Sequence, residues 1–172
     1  MKNIDQKSWQ TNNLGEFESM TNELFDILKQ PNLHQARPGA EGSGNNMIVG
    51  LVGNLGAGKT ILAKIIAKKL GVVNEVVSPT FNIMKIYETA DSMFKKFIHI
   101  DAYRIDVDDK NNKQDVQSLN KNLKLQDYFK LPNTLIFIEW PENIKNILPE
   151  NIKYIEILHN SEDSEKRNIS LQ

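Results

Sequence analysis

Residues Ile48–Gly71 read IVGLVGNLGAGKTILAKIIAKKLG. Met47–Val52 is a short, continuous apolar run that stops at Gly53, the pattern of a strand buried on both faces of a parallel sheet. From Lys59 to Leu70 the pattern changes to helical spacing through Ile61, Leu62, Ile65, Ile66 and Leu70, with Gly71 as the expected C-cap. Between strand and helix, Gly53, Gly58, Lys59 and Thr60 stand at the spacing G-x-x-x-x-G-K-[ST]. Glycines there permit positive φ and let backbone N–H groups approach phosphate oxygens, while the helix turns its partially positive N-terminus toward them. Lys59 can reach the β- and γ-oxygens, and the Thr60 hydroxyl can ligate Mg²⁺. Asn54, Leu55, Gly56, Ala57, Gly58, Lys59, Thr60 and Ile61 are therefore the expected nucleotide-binding set.

Two further segments offer the acidic partners that such a loop needs. In TLIFIEWPE (Thr134–Glu142) the apolar run puts Glu139 at the carboxyl end of a buried strand, where open α/β sheets present their ligands. A carboxylate there can take a metal-bound water or orient an attacking one. In FIHIDAYR (Phe97–Arg104) alternation puts Ile98 and Ile100 on one face and Phe97, His99 and Asp101 on the other. Asp101 then emerges at the strand end, able to hold Mg²⁺ through water. His99 and Asp101 lack a third ligand, which disfavours a transition-metal site. SPTF (Ser78–Phe81) lies on the connection after the helix, where nucleotide switches place a hydroxyl, so Thr80 is a candidate sensor. Trp140 can stack on a base, cover a neighbouring subunit or fill the core.

The remaining elements are read from periodicity. Phe17, Met20, Leu24, Phe25, Ile27 and Leu28 predict a helix over about 15–29, ended by Pro31. Residues 30–46 are polar and rich in Gly and Pro, hence a flexible loop. Strands are expected at Phe81–Tyr87, Lys96–Asp101 and Ile152–Leu158, and a short helix near Leu125–Phe129. The segment 106–122 is polar and expected to be mobile, and 161–172 is expected to be a charged tail. Strands and helices interleave, which indicates an α/β class and one domain over residues 1–172.

Composition excludes several function classes. The 172 residues carry a formal net charge of -1, with 40% apolar and 25% charged content, so the bulk balance calls for no nucleic-acid or membrane partner. Cysteine is absent, which removes disulfides and thiol chemistry and fits a reducing compartment. No run reaches the ~20 apolar residues of a membrane span, and the first residues have no apolar signal core, so a soluble cytoplasmic protein is the expectation. Asn112-Lys113-Gln114-Asp115 matches a guanine-reading pattern, but no apolar strand precedes it. The arginines are Arg37, Arg104 and Arg167, too scattered for the arginine-bearing lid of a small-molecule kinase.

In order, GNLGAGKT, SPTF, HIDAYR and IEWPE resemble the TsaE family (older name YjeE), over about Met47 to Leu158. NLKLQDYF (Asn122–Phe129) also fits that family. The resemblance implies a P-loop NTPase-like sheet, mostly parallel, with helices on both faces. It implies an ATPase that assists the TsaB–TsaD complex; with few charge-stabilising groups in the sequence, the Mg²⁺-dependent activity is expected to be weak until a partner completes the site. TsaD transfers a threonylcarbamoyl group to an adenosine of tRNAs that read ANN codons, so tRNA is met indirectly. By the same resemblance Thr60 and Asp101 serve Mg²⁺, and Thr80 sits on the switch-like loop. Glu139 assists metal or water, Lys59 the phosphates, and Trp140 stands beside the nucleotide. Ala102 departs from the family's usual Leu, and Lys124 from its usual Gly. The alternatives are a nucleotide-dependent assembly factor or GTP switch with negligible hydrolysis and, further off, a kinase.

Overall fold

A computed structural model describes residues 7–30, 33, 45–79, 83–105, 123–150, 152–159 and 165–172. The centre is strand β2 (Asn46–Val52), whose interior residues are all buried, as its unbroken apolar run requires. It runs parallel to β5 (Thr134–Glu139) on one side and to β6 (Lys153–His159) on the other. Strand β4 (Lys96–Asp101) continues the parallel set beyond β5. Antiparallel strands close both margins: β3 (Met84–Glu88) beside β4, then β7 (Arg167–Leu171) beside β6 and β1 (Lys7–Thr11) beside β7. The full order is β1-β7-β6-β2-β5-β4-β3. The sheet is thus parallel in its core and antiparallel at its edges.

Side-chain parity assigns the faces. Odd-numbered residues of the central strands (Val49, Leu51, Phe97, Leu135, Phe137) join one buried cluster with helices α1 (Leu14–Leu28) and α2 (Lys59–Lys69). Even-numbered residues (Ile48, Ile98, Ile100, Ile136, Ile138) join the other, with Leu125 of the short helix α3 (Leu125–Tyr128) and Ile144 of the 3-10 segment Pro141–Ile147. Each of these large side chains contributes about 1.5–3 kcal/mol by leaving water, so the two-sided burial anchors the sheet. His99, Asp101 and Glu139 are odd-numbered. They therefore face α2, and its N-terminus comes to lie over them.

Helix α1 starts where Asn13 accepts a hydrogen bond from the Glu16 N–H at 2.9 Å, while the Glu16 carboxylate accepts from the Asn12 N–H at 2.8 Å. Helix α2 stops through paired bonds, Gly71 N–H to the Lys68 carbonyl and Val72 N–H to the Ala67 carbonyl, so Leu70 is the cap residue and Gly71 follows it.

Two expectations are corrected. Strand β3 begins at Met84, and Phe81 lies outside the described residues. The charged stretch at the C-terminus ends in a strand, because Ile169 and Leu171 of β7 alternate inward to the α1–α2 cluster. The N-terminal polar stretch contains β1, which pairs with that same strand. Residues 34–44 and 106–122, including the Asn112–Asp115 match, lie outside the described residues.

Of the two family departures, Ala102 is fully buried in the second cluster. Lys124 caps α3 at φ 49° and ψ 42°, a left-handed conformation that costs a residue with a Cβ about 1–2 kcal/mol. Glycine avoids that strain but has more freedom to lose on folding. Lys124→Gly should therefore raise stability by a net amount of at most about 1 kcal/mol, read as a higher urea midpoint at unchanged slope.

Candidate active site

The phosphate loop leaves β2 at Gly53. Its φ is 149°, and a Cβ there would lie 2.2 Å from the Ile157 carbonyl oxygen of β6, so only glycine can pass. Gly58 at φ 115° is the N-cap of α2, a backbone turn that a side chain would oppose. The loop and the α2 N-terminus line a cavity of about 310 Å³. That cavity is bounded by Leu55–Ile61, Ser78, Asp101, Tyr103, Glu139 and Trp140.

Lys59 is only 4% exposed. Its ammonium donates to the carbonyls of Gly53 at 2.5 Å and Asn54 at 3.0 Å, and lies 4.0 Å from the centre of the Trp140 ring. Burial is the largest influence and pushes the ammonium below the usual lysine value, while Glu139, Glu142 and Asp101 pull it upward. Moving that ammonium from neutral carbonyls to phosphate oxygens would replace an ion–dipole contact with a pairing of opposite charges.

The carboxylates come from neighbouring strands. Asp101 and Glu139 are direct register partners on β4 and β5, at the carboxyl ends of the parallel strands. Glu139 is buried and accepts the Thr60 hydroxyl on Oε1 at 2.8 Å and Oε2 at 3.1 Å. With its proton given to Glu139, the Thr60 oxygen keeps its lone pairs for the cavity. His99 Nε2 lies 2.8 Å from Glu139 Oε1. Asp101 accepts from the Tyr103 N–H at 3.0 Å and the Ser78 hydroxyl at 3.3 Å.

Trp140 holds φ 59°, and its ring packs against Tyr103 at 5.2 Å between centroids. The Asn143 side chain donates to the Ala102 carbonyl, and the Ala102 N–H to the Glu139 carbonyl, so the strand ends are tied together beneath the Trp140 turn.

The structure thus gathers Lys59, Thr60, Asp101, Glu139 and Trp140, from three segments far apart in sequence, around one cavity. Leu55, Gly56, Ala57, Gly58 and Ile61 line it, and Asn54 contributes its carbonyl to Lys59. Thr80 lies outside the described residues. Sequence reasoning missed three groups. Ser78 reaches Asp101 from the SPTF segment, and Tyr103 supports Trp140 from the HIDAYR segment; both were quoted blocks whose other residues drew the attention. Arg167 donates through Nε to the Ala57 carbonyl at 2.8 Å and so braces the phosphate loop from β7. A partner 110 positions away leaves no local signal. Arg167 also lines a second cavity of about 240 Å³ on the outer side of the loop, with Asn13, Leu14, Phe17, Ile61 and Glu165.

A buried strand, a glycine loop closed by Lys-Thr, a helix, and two carboxylates on adjacent strand ends define a P-loop nucleotide-binding α/β protein. The family model described as threonylcarbamoyl adenosine biosynthesis protein TsaE matches residues 12–169, and the chain belongs to this family. The chain is 34% identical over 128 residues to the Rickettsia typhi protein named tRNA threonylcarbamoyladenosine biosynthesis protein TsaE, covering 74% of this chain and 78% of that one. To the Haemophilus influenzae protein of the same name it is 33% identical over 121 residues, covering 67% and 68%. To the Mycobacterium tuberculosis protein of that name it is 31% identical over 104 residues, covering 60% of this chain and 58% of that one. The crystal structure of YdiB from a Bacillus shares the fold at a TM-score of 0.63 and 23% identity, over 96% of this chain and 84% of that one. No helix among the described residues is long and apolar enough to cross a membrane.

Proposed function

We propose that this chain is a single-domain cytoplasmic ATPase of tRNA threonylcarbamoyladenosine synthesis, acting on the TsaB–TsaD pair and meeting tRNA only through it. The observation that carries the reading is the meeting of Lys59, Thr60, Asp101 and Glu139 at one cavity beside the phosphate loop. The name shared by the curated relatives supports the pathway.

The cavity wall suits a hard cation. Its donors are oxygens, from the Thr60 hydroxyl and two carboxylates, and no group of three His, Cys, Asp or Glu that could hold a metal occurs among the described residues. Mg²⁺ bound there would neutralise the charge of the phosphate oxygens. Thr60 and Asp101 would hold it, directly or through water, with Glu139 alongside. Lys59 would neutralise the β- and γ-oxygens, and Glu139 would orient the attacking water. Thr80 would report on the γ-phosphate, and Trp140 would cover the phosphate tail. The second cavity, walled by Leu14, Phe17 and Ile61, offers apolar surface for a purine at the outer side of the same loop.

Among the described residues that line the phosphate cavity Lys59 is the cation, while the Arg167 Nε is committed to the Ala57 carbonyl. Among the described residues, charge stabilisation of the transferred group thus rests on Lys59, which supports turnover that depends on the partner. Equilibrium titration tests the nucleotide. ATP with Mg²⁺ should bind about tenfold or more tighter than GTP, a difference of about 1.4 kcal/mol. Equal affinity would favour the switch reading and return attention to Asn112–Asp115.

A further inference from the structure

We propose that His99 is a positioning residue: its Nε2–H anchors one oxygen of the Glu139 carboxylate so that the other faces the phosphate cavity. This rests on the reading of Glu139 given above. His99 is completely buried, lies two residues before Asp101 on β4, and reaches Glu139 Oε1 at 2.8 Å. Its ring is stacked at 29° on Phe97, which holds the imidazole plane.

The ring's other nitrogen makes the case. Nδ1 is buried and has no hydrogen-bond partner among the described residues. A proton placed there would be buried without an acceptor, so the tautomer that fits carries its proton on Nε2 and donates it to Glu139. A leucine or phenylalanine would fill the same space without stranding a polar nitrogen. What histidine adds at this position is the bond to the carboxylate.

The two carboxylate oxygens are held unequally. Oε1 takes both His99 and the shorter Thr60 contact, each at 2.8 Å, whereas Oε2 has only the longer Thr60 contact at 3.1 Å. A carboxylate oxygen accepts about two hydrogen bonds, so Oε1 is filled and Oε2 keeps capacity for a water in the cavity. The supports also differ in origin. Thr60 is on α2, at the phosphate loop, where ligands would engage it. His99 is on β4, is not among the residues that line the cavity, and holds Glu139 whatever Thr60 does. Such a second support is what keeps a reacting group within a fraction of an ångström of its working geometry.

Three full-length variants and one spectrum test this. His99→Gln puts an amide N–H near the original Nε2, His99→Asn stops short of Glu139, and His99→Leu removes the donor. With all three folded by thermal melt, ADP affinity should stay within about threefold of wild type. In the presence of TsaB–TsaD, kcat should fall by about 30- to 100-fold in the Leu and Asn variants at little-changed KM, and recover to within about fivefold in Gln. Wild-type turnover in the Leu and Asn variants, or equal loss in Gln and Asn, overturns the proposal. Should the Leu variant fail to fold, the Gln–Asn difference still decides it.

The nitrogen-15 spectrum of histidine-labelled wild-type protein should show His99 protonated on Nε2 and bare on Nδ1, with the Nε2 signal moving in Glu139→Gln. The opposite tautomer, or no movement, overturns the proposal without recourse to turnover. A wild-type chain with the expected spectrum but no hydrolysis would instead sink the ATPase reading and leave the anchoring contact standing.

Discussion

Lys59→Met abolishes triphosphate binding, with affinity expected to fall at least about 100-fold, or about 2.7 kcal/mol. The ammonium is the cation at the cavity, and no neighbouring described side chain can substitute for it at the phosphate position. The same substitution changes how stability depends on pH. Burial lowers the folded-state value of Lys59 below the 10.5 of the unfolded chain, against the opposing pull of Glu139, Glu142 and Asp101. The folded protein therefore holds this proton less tightly than the unfolded chain does. The resulting penalty is present in full below the folded value and is relieved as pH rises toward 10.5. Wild-type stability should accordingly gain on the alkaline side relative to the variant, and Lys59→Met should lose that gain. Urea melts at neutral and alkaline pH, paired with nucleotide titrations, check both halves. Retained ATP affinity in the variant would remove Lys59 from the phosphate site.

Glu139→Gln should leave nucleotide affinity within about threefold while lowering turnover by about 100- to 1,000-fold. The amide keeps the shape of the carboxylate but withdraws its charge and one acceptor. Thr60 and His99 both donate to Oε1, where the amide oxygen can still accept from both, but without the charge these bonds weaken, and the variant should also lose about 1 kcal/mol of stability. Separate measurement of ADP affinity and of phosphate release distinguishes the two effects. Normal hydrolysis by Glu139→Gln would show that the water is oriented by another group.

The centre of the sheet was legible because its signals are local. An unbroken apolar run gives β2 and β5, the G-x-x-x-x-G-K-[ST] spacing gives the loop, and alternation in FIHID puts His99 and Asp101 on one face. That parity is what the structure shows, with Ile98 and Ile100 in the opposite cluster. Strands β1 and β7 were hidden for a physical reason. They are short, their outward residues are polar, and each is defined by its neighbour in the sheet, not by its own pattern.

The site was legible as parts. Thr60, His99 and Glu139 were all in view, but the contacts joining them span 79 and 40 residues. Only the strand order β2-β5-β4, with α2 above it, brings them together. The stranded Nδ1 of His99 and the Arg167 brace are properties of packing, and no spacing announces them. Lys124 is the converse case: the left-handed backbone there gives a physical reason to favour glycine, and no sequence pattern announces it.

The most direct measurement is steady-state phosphate release from ATP and Mg²⁺ by the full chain, alone and with TsaB–TsaD. A site with a metal hydroxyl and an anchored carboxylate, whose charge stabilisation rests on Lys59 among the described residues, should turn over slowly alone and accelerate at least about tenfold with the pair. Fast release by the isolated chain, unchanged by the partners, would contradict the account.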